Sequence, residues 1–146
     1  MKPLFSALIT ILILCGCTAS SSVKATAKAA RVVNQASDHS VKNIPISELN
    51  SSFLNTGADC EYNCAVVEVT GKVIAYGLTE EGVYTLTLQQ NDKDALCTFD
   101  ASISNQLGAG RRVCADAMIT VRGQCQSSGL FASQPFSIHG CKISEN

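Results

Sequence analysis

From Val66 onward the chain alternates apolar residues with others at a period of two, and the pattern returns in five separate runs. Alternation of this kind turns one face of a strand toward a core and leaves the other in solvent. VVEVTGKVIAY carries Val67, Val69, Gly71, Val73 and Ala75 in phase, and the glycine inside the run predicts a bulge or sharp bend there. VYTLTLQQ sets Tyr84, Leu86 and Leu88 on one face, with Val83, Thr85, Thr87 and Gln89 on the other. ALCTFDA aligns Cys97 with Phe99, and AMITVRGQ aligns Ile119, Val121 and Gly123 with the following Cys125. In PFSIHGCKI, Phe136 and Ile138 face inward, and a bulge at Gly140 would bring Cys141 and Ile143 into phase. Gly77 to Gly82, NDKD and SSG read as the turns between strands. SISNQLGAG, between the third and fourth runs, reads as a short helix ended by glycines. The order β-β-β-α-β-β is that of a mainly β, five-stranded OB-fold barrel, whose long bent first strand turns a corner to close it.

Ahead of the barrel the signals are helical. Pro45 marks an entry, and Ser47 is the expected N-cap of a short helix over ELNSSFLN, with Leu49 and Phe53 on one face. Thr56-Gly57 is its stop. ADCEYNCA then continues as a short helical or irregular stretch. Residues 18 to 43 are rich in Ser, Ala and Lys and poor in large apolar side chains. They read as a flexible tether in which VKATAKAARVVNQA could form a transient helix, since Ala, Lys and Arg favour one.

The first residues have another purpose. Lys2 precedes an uncharged apolar run from Leu4 to Leu14, too short for a membrane span of roughly 20 residues and suited to a cleaved export signal. Leu14-Cys15-Gly16-Cys17 resembles the bacterial lipobox, and only Cys17 has a small residue before it and Leu three positions upstream. That resemblance implies cleavage after Gly16 and lipidation of Cys17, whose palmitate-type acyl chains would hold the protein to a membrane. Thr18, rather than Asp, at the next position leans toward the outer membrane, with the domain facing the periplasm. The chain therefore divides into a signal peptide over 1–16, a lipidated flexible tether over 17–43 and an OB-fold domain over 44–146.

Export changes the meaning of the cysteines. Setting aside Cys15 and Cys17, six remain: Cys60, Cys64, Cys97, Cys114, Cys125 and Cys141. An even number in an exported domain of this size makes all six disulfide candidates, with 15 possible connectivities. Cys125 and Cys141, on the adjacent fourth and fifth strands, are the first pairing to expect. The spacing Cys60-x3-Cys64 and the lone nearby His139 suit neither a zinc site nor a thioredoxin-like CxxC, so no metal is expected.

The run Leu49, Phe53, Asn55, Ala58, Tyr62, then Val67-x-Val69-Thr70-Gly71-x-Val73, Cys97-x-Phe99-Asp100, Ile119-Thr120-Val121-Arg122-Gly123-x-Cys125 and Cys141-x-Ile143 resembles the bacterial tRNA anticodon-binding-like OB-fold family. The resemblance covers roughly residues 46 to 143, and Cys60, Cys64 and Cys114 are additions to its pattern. It implies a small envelope lipoprotein with an OB barrel and does not itself imply RNA binding.

Composition and placement then order the function classes. The formal net charge is -1. The expected outer face of the second and third strands (Val83, Thr85, Thr87, Gln89, Leu96, Thr98 and Asp100) has no aromatic, Lys or Arg with which to stack or neutralise a single strand. A nucleic-acid partner is therefore not expected. No catalytic Ser/His/Asp set, HExxH or nucleophile elbow occurs, so no enzyme and no cofactor are expected. What remains is a non-catalytic binding or structural module whose partner is an envelope protein, a glycan or a small ligand. Tyr76 and Phe131 near strand ends, and the basic pair Arg111 and Arg112, are the possible ligand contacts.

Overall fold

A computed structural model describes residues 21–100, 114–128 and 132–144. The lipidation candidate Cys17, the expected helix over SISNQLGAG, the arginine pair Arg111 and Arg112, and Phe131 lie outside the described residues. Within them the elements run α1 (Ser21–Gln35), β1 (Lys42–Asn43), α2 (Ile46–Thr56), a single 3-10 turn (Gly57–Asp59), β2 (Val66–Leu78), β3 (Tyr84–Gln90), β4 (Lys93–Phe99), β5 (Met118–Ser127) and β6 (Phe136–Ile143).

Strands β2 to β6 close on themselves in the order β2-β3-β4-β6-β5, with β5 returning to β2. All barrel pairs are antiparallel except β4–β6, and this is an OB-type barrel. The closure depends on β2. Its first half, from Val66 to Lys72, lies along β5, and its second half, from Lys72 to Leu78, lies along β3. A register shift between Val73 and Ala75 marks the corner. The bulge therefore falls after Gly71. Gly71 instead makes room for α2. A Cβ there would stand 3.0 Å from Leu88 Cβ and 3.1 Å from Ile46 Cδ1, so its bare backbone admits the first residue of the helix. Ala75, expected in phase, is exposed because the bulge has already changed the phase.

The other strand faces follow their period. Leu86, Leu88, Ala95, Cys97, Phe99, Val121, Cys125, Phe136, Ile138 and Cys141 are all at 0% exposure. Asn91 and Asp92 both have positive φ, 50° and 61°, which gives the tight two-residue turn joining β3 to β4. At Gly140, φ is 63°, and β6 holds an extra residue between Lys142, opposite Arg122, and His139, opposite Gln124. This is the expected bulge, and it turns Cys141 inward.

Helix α2 caps one mouth of the barrel, touching β2, β3, β4 and β6. Ile46, Leu49 and Phe53 are its buried stripe, and Phe53 stacks on Phe136 at 5.3 Å between ring centroids. Burying such side chains contributes about 1.5–3 kcal/mol each. The helix starts one residue before the expected Ser47 cap: Pro45 holds the N-cap position and no side chain caps it. Gly57 ends it as expected, with its N–H donating to the Phe53 carbonyl.

The clearest departure from the sequence-based expectation lies in the supposed tether. Residues 21–35 are a fifteen-residue helix docked on the outside of β6 and β5, not a coil. Thr26, Ala29, Ala30 and Val33, at helical spacing, form its buried face. Small residues let the helix backbone come down onto Gly140, where a Cβ would meet Ala30 N at 2.2 Å. The linker after it is pinned as well. Arg122 Nη1 donates to Asp38 at 2.8 Å, and the same guanidinium donates to Glu68 through Nε at 2.9 Å and Nη2 at 2.7 Å.

Candidate ligand cleft

Thr85 lies opposite Thr98 on the β3–β4 pair, and His139 stands beside them on β6, all on the outer face. The turn between β2 and β3 brings Thr79, Glu80, Glu81 and Val83 to one side, and α1 brings Ala25 and Thr26 to the other. Together they line an open cleft of about 420 Å³. Two residues further along the same strands, Thr87, Leu96 and Ser137 line a second hollow of about 200 Å³ with Ser133 and Gln134. Strand geometry separates successive outward rows by roughly 6.6 Å. The two hollows are therefore neighbouring stations along one face.

His139 is locked into this face. Its Nε2 is 2.7 Å from Ser137 Oγ and its Nδ1 is 3.0 Å from Thr98 Oγ1. Thr98 Oγ1 donates to the Ile138 carbonyl at 3.4 Å, which fits a proton on Nδ1 and a hydroxyl proton from Ser137 on Nε2. Burial lowers the imidazole below its ordinary pKa and favours the neutral ring. Ser137 and His139 have the hydroxyl–imidazole contact of a nucleophile and its base. The second ring nitrogen, however, meets a threonine hydroxyl, not the carboxylate that would stabilise an imidazolium. The arrangement can offer hydroxyl groups, one neutral ring and, at its rim, two carboxylates.

Of the residues marked from sequence, few meet here. Tyr76 is 55% exposed on β2, opposite Leu86, and does not line either hollow. Cys60, Cys97, Cys125 and Cys141 are buried, Cys64 and Cys114 are exposed, and all six are free thiols in the structure. Among the described residues, no group of three or more His, Cys, Asp or Glu is placed to hold a metal ion. Also among them, no helix is long and apolar enough to cross a membrane. From sequence, His139 reads as an exposed or satisfied polar residue, Glu80-Glu81 as a solvated tip, and Ala25 and Thr26 as part of the tether. The signal that places Ala25 and Thr26 in the cleft is the 26/29/30/33 stripe of α1, which puts the helix against the barrel.

No family model matches the chain, and a search of curated proteins finds no match. Solved structures do resemble it. A Klebsiella pneumoniae protein described as a "putative nucleic acid-binding lipoprotein" aligns with a TM-score of 0.59 and 18% identity, over 76% of this chain and all of that one. A Leishmania major protein described as a "putative aspartyl-tRNA synthetase" aligns with a TM-score of 0.50 and 10% identity, over 75% of this chain and 22% of the other. At these identities the likeness is one of fold, and it agrees with the OB-type barrel.

Proposed function

We propose that this chain is a bacterial cell-envelope lipoprotein, anchored through Cys17, whose OB module binds an uncharged, hydroxyl-rich ligand of the oligosaccharide class without catalysis. The observation that carries the ligand class is the pair of successive hollows on the outer face of β3, β4 and β6. Their threonine and serine hydroxyls suit sugar hydroxyls, and two adjacent stations suit an extended ligand more than a compact one. Glu80 and Glu81 at the rim repel phosphate. The lipobox, the signal segment and the resemblance to the tRNA anticodon-binding-like lipoproteins support the envelope reading, with Thr18 favouring the outer membrane.

Binding of single-stranded nucleic acid is the second reading, favoured by the description of the Klebsiella pneumoniae neighbour. The described part of the β3–β4 outer face has no Lys, Arg or aromatic side chain in its middle rows, Thr85–Thr98 and Thr87–Leu96. Stacking and counterion release, which supply affinity in such complexes, have little to act through there.

Titration of the isotope-labelled protein with chitotriose, maltotriose and a decathymidylate at low salt separates the readings. Shifts of Thr85, Thr98 and His139 signals by a saccharide, lost in Thr98→Val, are expected. Tight, salt-sensitive binding of the oligonucleotide would reverse the order. Palmitate labelling in cells tests the anchor: Cys17→Ser must lose the label, and undiminished labelling ends the lipoprotein reading.

A further inference from the structure

We propose that α1 is a membrane-docking surface, whose outward stripe of Lys24, Lys28 and Arg31 lies on the anionic lipid headgroups of the membrane that holds the anchor. The three cations fall at i, i+4 and i+7 of the helix, so at about 100° per residue they share one narrow arc. Thr26, Ala29, Ala30 and Val33, the buried residues, centre on the opposite side. The stripe therefore points away from the barrel while the helix stays docked on it. All three side chains belong to exposed residues, and none makes a hydrogen bond or ion pair among the described residues. At a rise of about 1.5 Å per residue, the three charges spread over about 10 Å of the helix axis.

Charge is segregated along the chain in the way such a surface requires. No Asp or Glu occurs before Asp38, so α1 carries cations alone. A helix that only meets water ordinarily mixes both signs and pairs them at i and i+4, and α1 has no acid to pair. From residue 38 onward the balance reverses, with twelve acidic side chains against seven basic ones. Asp38, the first of those acids, is taken up by Arg122. An anionic surface therefore attracts the helix and repels the acidic remainder, which gives the molecule one preferred way to face a membrane.

Chain length keeps the stripe at the bilayer, and here the proposal rests on the reading of Cys17 as the lipidated residue. Four peptide steps separate Cys17 from Ser21, where α1 begins, and fully extended they span at most about 14 Å. Lys24 lies about 4.5 Å further along the helix axis. A coil over residues 18–43 would let the barrel drift tens of ångströms from the lipid, and the docked helix removes that freedom. A lipid anchor joined to a basic patch is a two-signal arrangement in which each cation near the surface adds to the attraction. Ala25 and Thr26, the α1 wall of the cleft, follow Lys24 directly. Ala25 is thereby held within about 20 Å of the anchored residue, at the level of the headgroups.

The test uses residues 17–146 with Cys17→Ser, a chain that keeps every described element and carries no lipid. Its outcome is thus separate from that of palmitate labelling, which tests the anchor. The chain is sedimented at low salt with vesicles of phosphatidylcholine alone and with vesicles containing phosphatidylglycerol. Binding to the phosphatidylglycerol vesicles alone is expected, and it should vanish near 0.5 M salt, where the charges are screened to within roughly 5 Å. Lys24→Gln/Lys28→Gln/Arg31→Gln should weaken it roughly a hundredfold. Lys24→Arg/Lys28→Arg, which keeps the charge, should bind as the parent does. Lys72→Gln/Lys93→Gln, which removes cations from the barrel, should change binding by less than about threefold. No binding to phosphatidylglycerol vesicles, undiminished binding in the triple variant, or an equal loss in the barrel variant overturns the proposal. Tighter binding of decathymidylate than of vesicles through the same three residues assigns the stripe to nucleic acid and overturns it as well.

Discussion

Two glycines carry much of the architecture at the scale of single residues. Gly140 takes a positive φ and lies beneath the α1 backbone. Gly140→Ala meets both obstacles, left-handed strain and a backbone that cannot retreat, and is expected to destabilise by about 2–4 kcal/mol. Gly123→Ala, whose Cβ would stand 2.4 Å from Ile138 Cγ2, meets mainly side chains and is expected to cost about 1–3 kcal/mol. Gly77, with nothing within 4 Å, is the control: Gly77→Ala should stay within about 0.5 kcal/mol. Urea midpoints of the three variants, at unchanged slope, check the order.

His139 gives a pH dependence whose sign follows from its depressed pKa. In the unfolded chain the ring takes a proton near its ordinary value of 6.5, while the folded chain keeps it neutral to lower pH. The unfolded state therefore binds more protons over that window, and stability falls as the solution is acidified from 6.5 toward the lower folded value. His139→Gln should flatten this decline, read as urea midpoints measured at about pH 7.5 and about pH 5.5. Asp38 adds to the loss further down. The hydrogen bond from Arg122 holds its carboxyl below 3.8, so its contribution is present above the ordinary carboxylate range and disappears below it.

At the scale of elements the question is why α1 docks although its composition suggests a tether. Its mean character is polar, but its polarity is uneven: Lys24, Lys28 and Arg31 lie away from the stripe of Thr26, Ala29, Ala30 and Val33. Alanines carry little burial energy individually. They matter because they let the helix approach the Gly140 bulge, and Arg122 then holds the exit of the helix through Asp38. Val33→Asp places a charge at a position 1% exposed and should release α1. The expected result is fast hydrogen exchange over 21–35, with the β2–β6 amides still protected and saccharide binding weakened through loss of the Ala25–Thr26 wall. Protection of the helix at the wild-type level would show that this stripe does not hold it.

At the scale of the whole molecule, the barrel core is small and unusually rich in sulfur. Cys60, Cys97, Cys125 and Cys141 stand among its valines, leucines and the buried rings of Phe53, Phe99 and Phe136.

Much of this molecule was legible from local pattern. A period of two is a property of neighbouring residues, so strand faces, the inward cysteines and the Gly140 bulge could be read from five short runs. So could the order of elements that makes an OB barrel, and the Leu49–Phe53 face of α2. The corner of β2, placed at Gly71 because of the glycine, sits between Val73 and Ala75, just past Lys72, where the strand changes partner from β5 to β3. The docking of α1 and the walls of the cleft escaped the sequence for the same reason. Each depends on residues far apart in the chain being set side by side by register, and on the depth of a bulge. Sequence by itself determined which residues face inward. Only the closed barrel decided which of them touch.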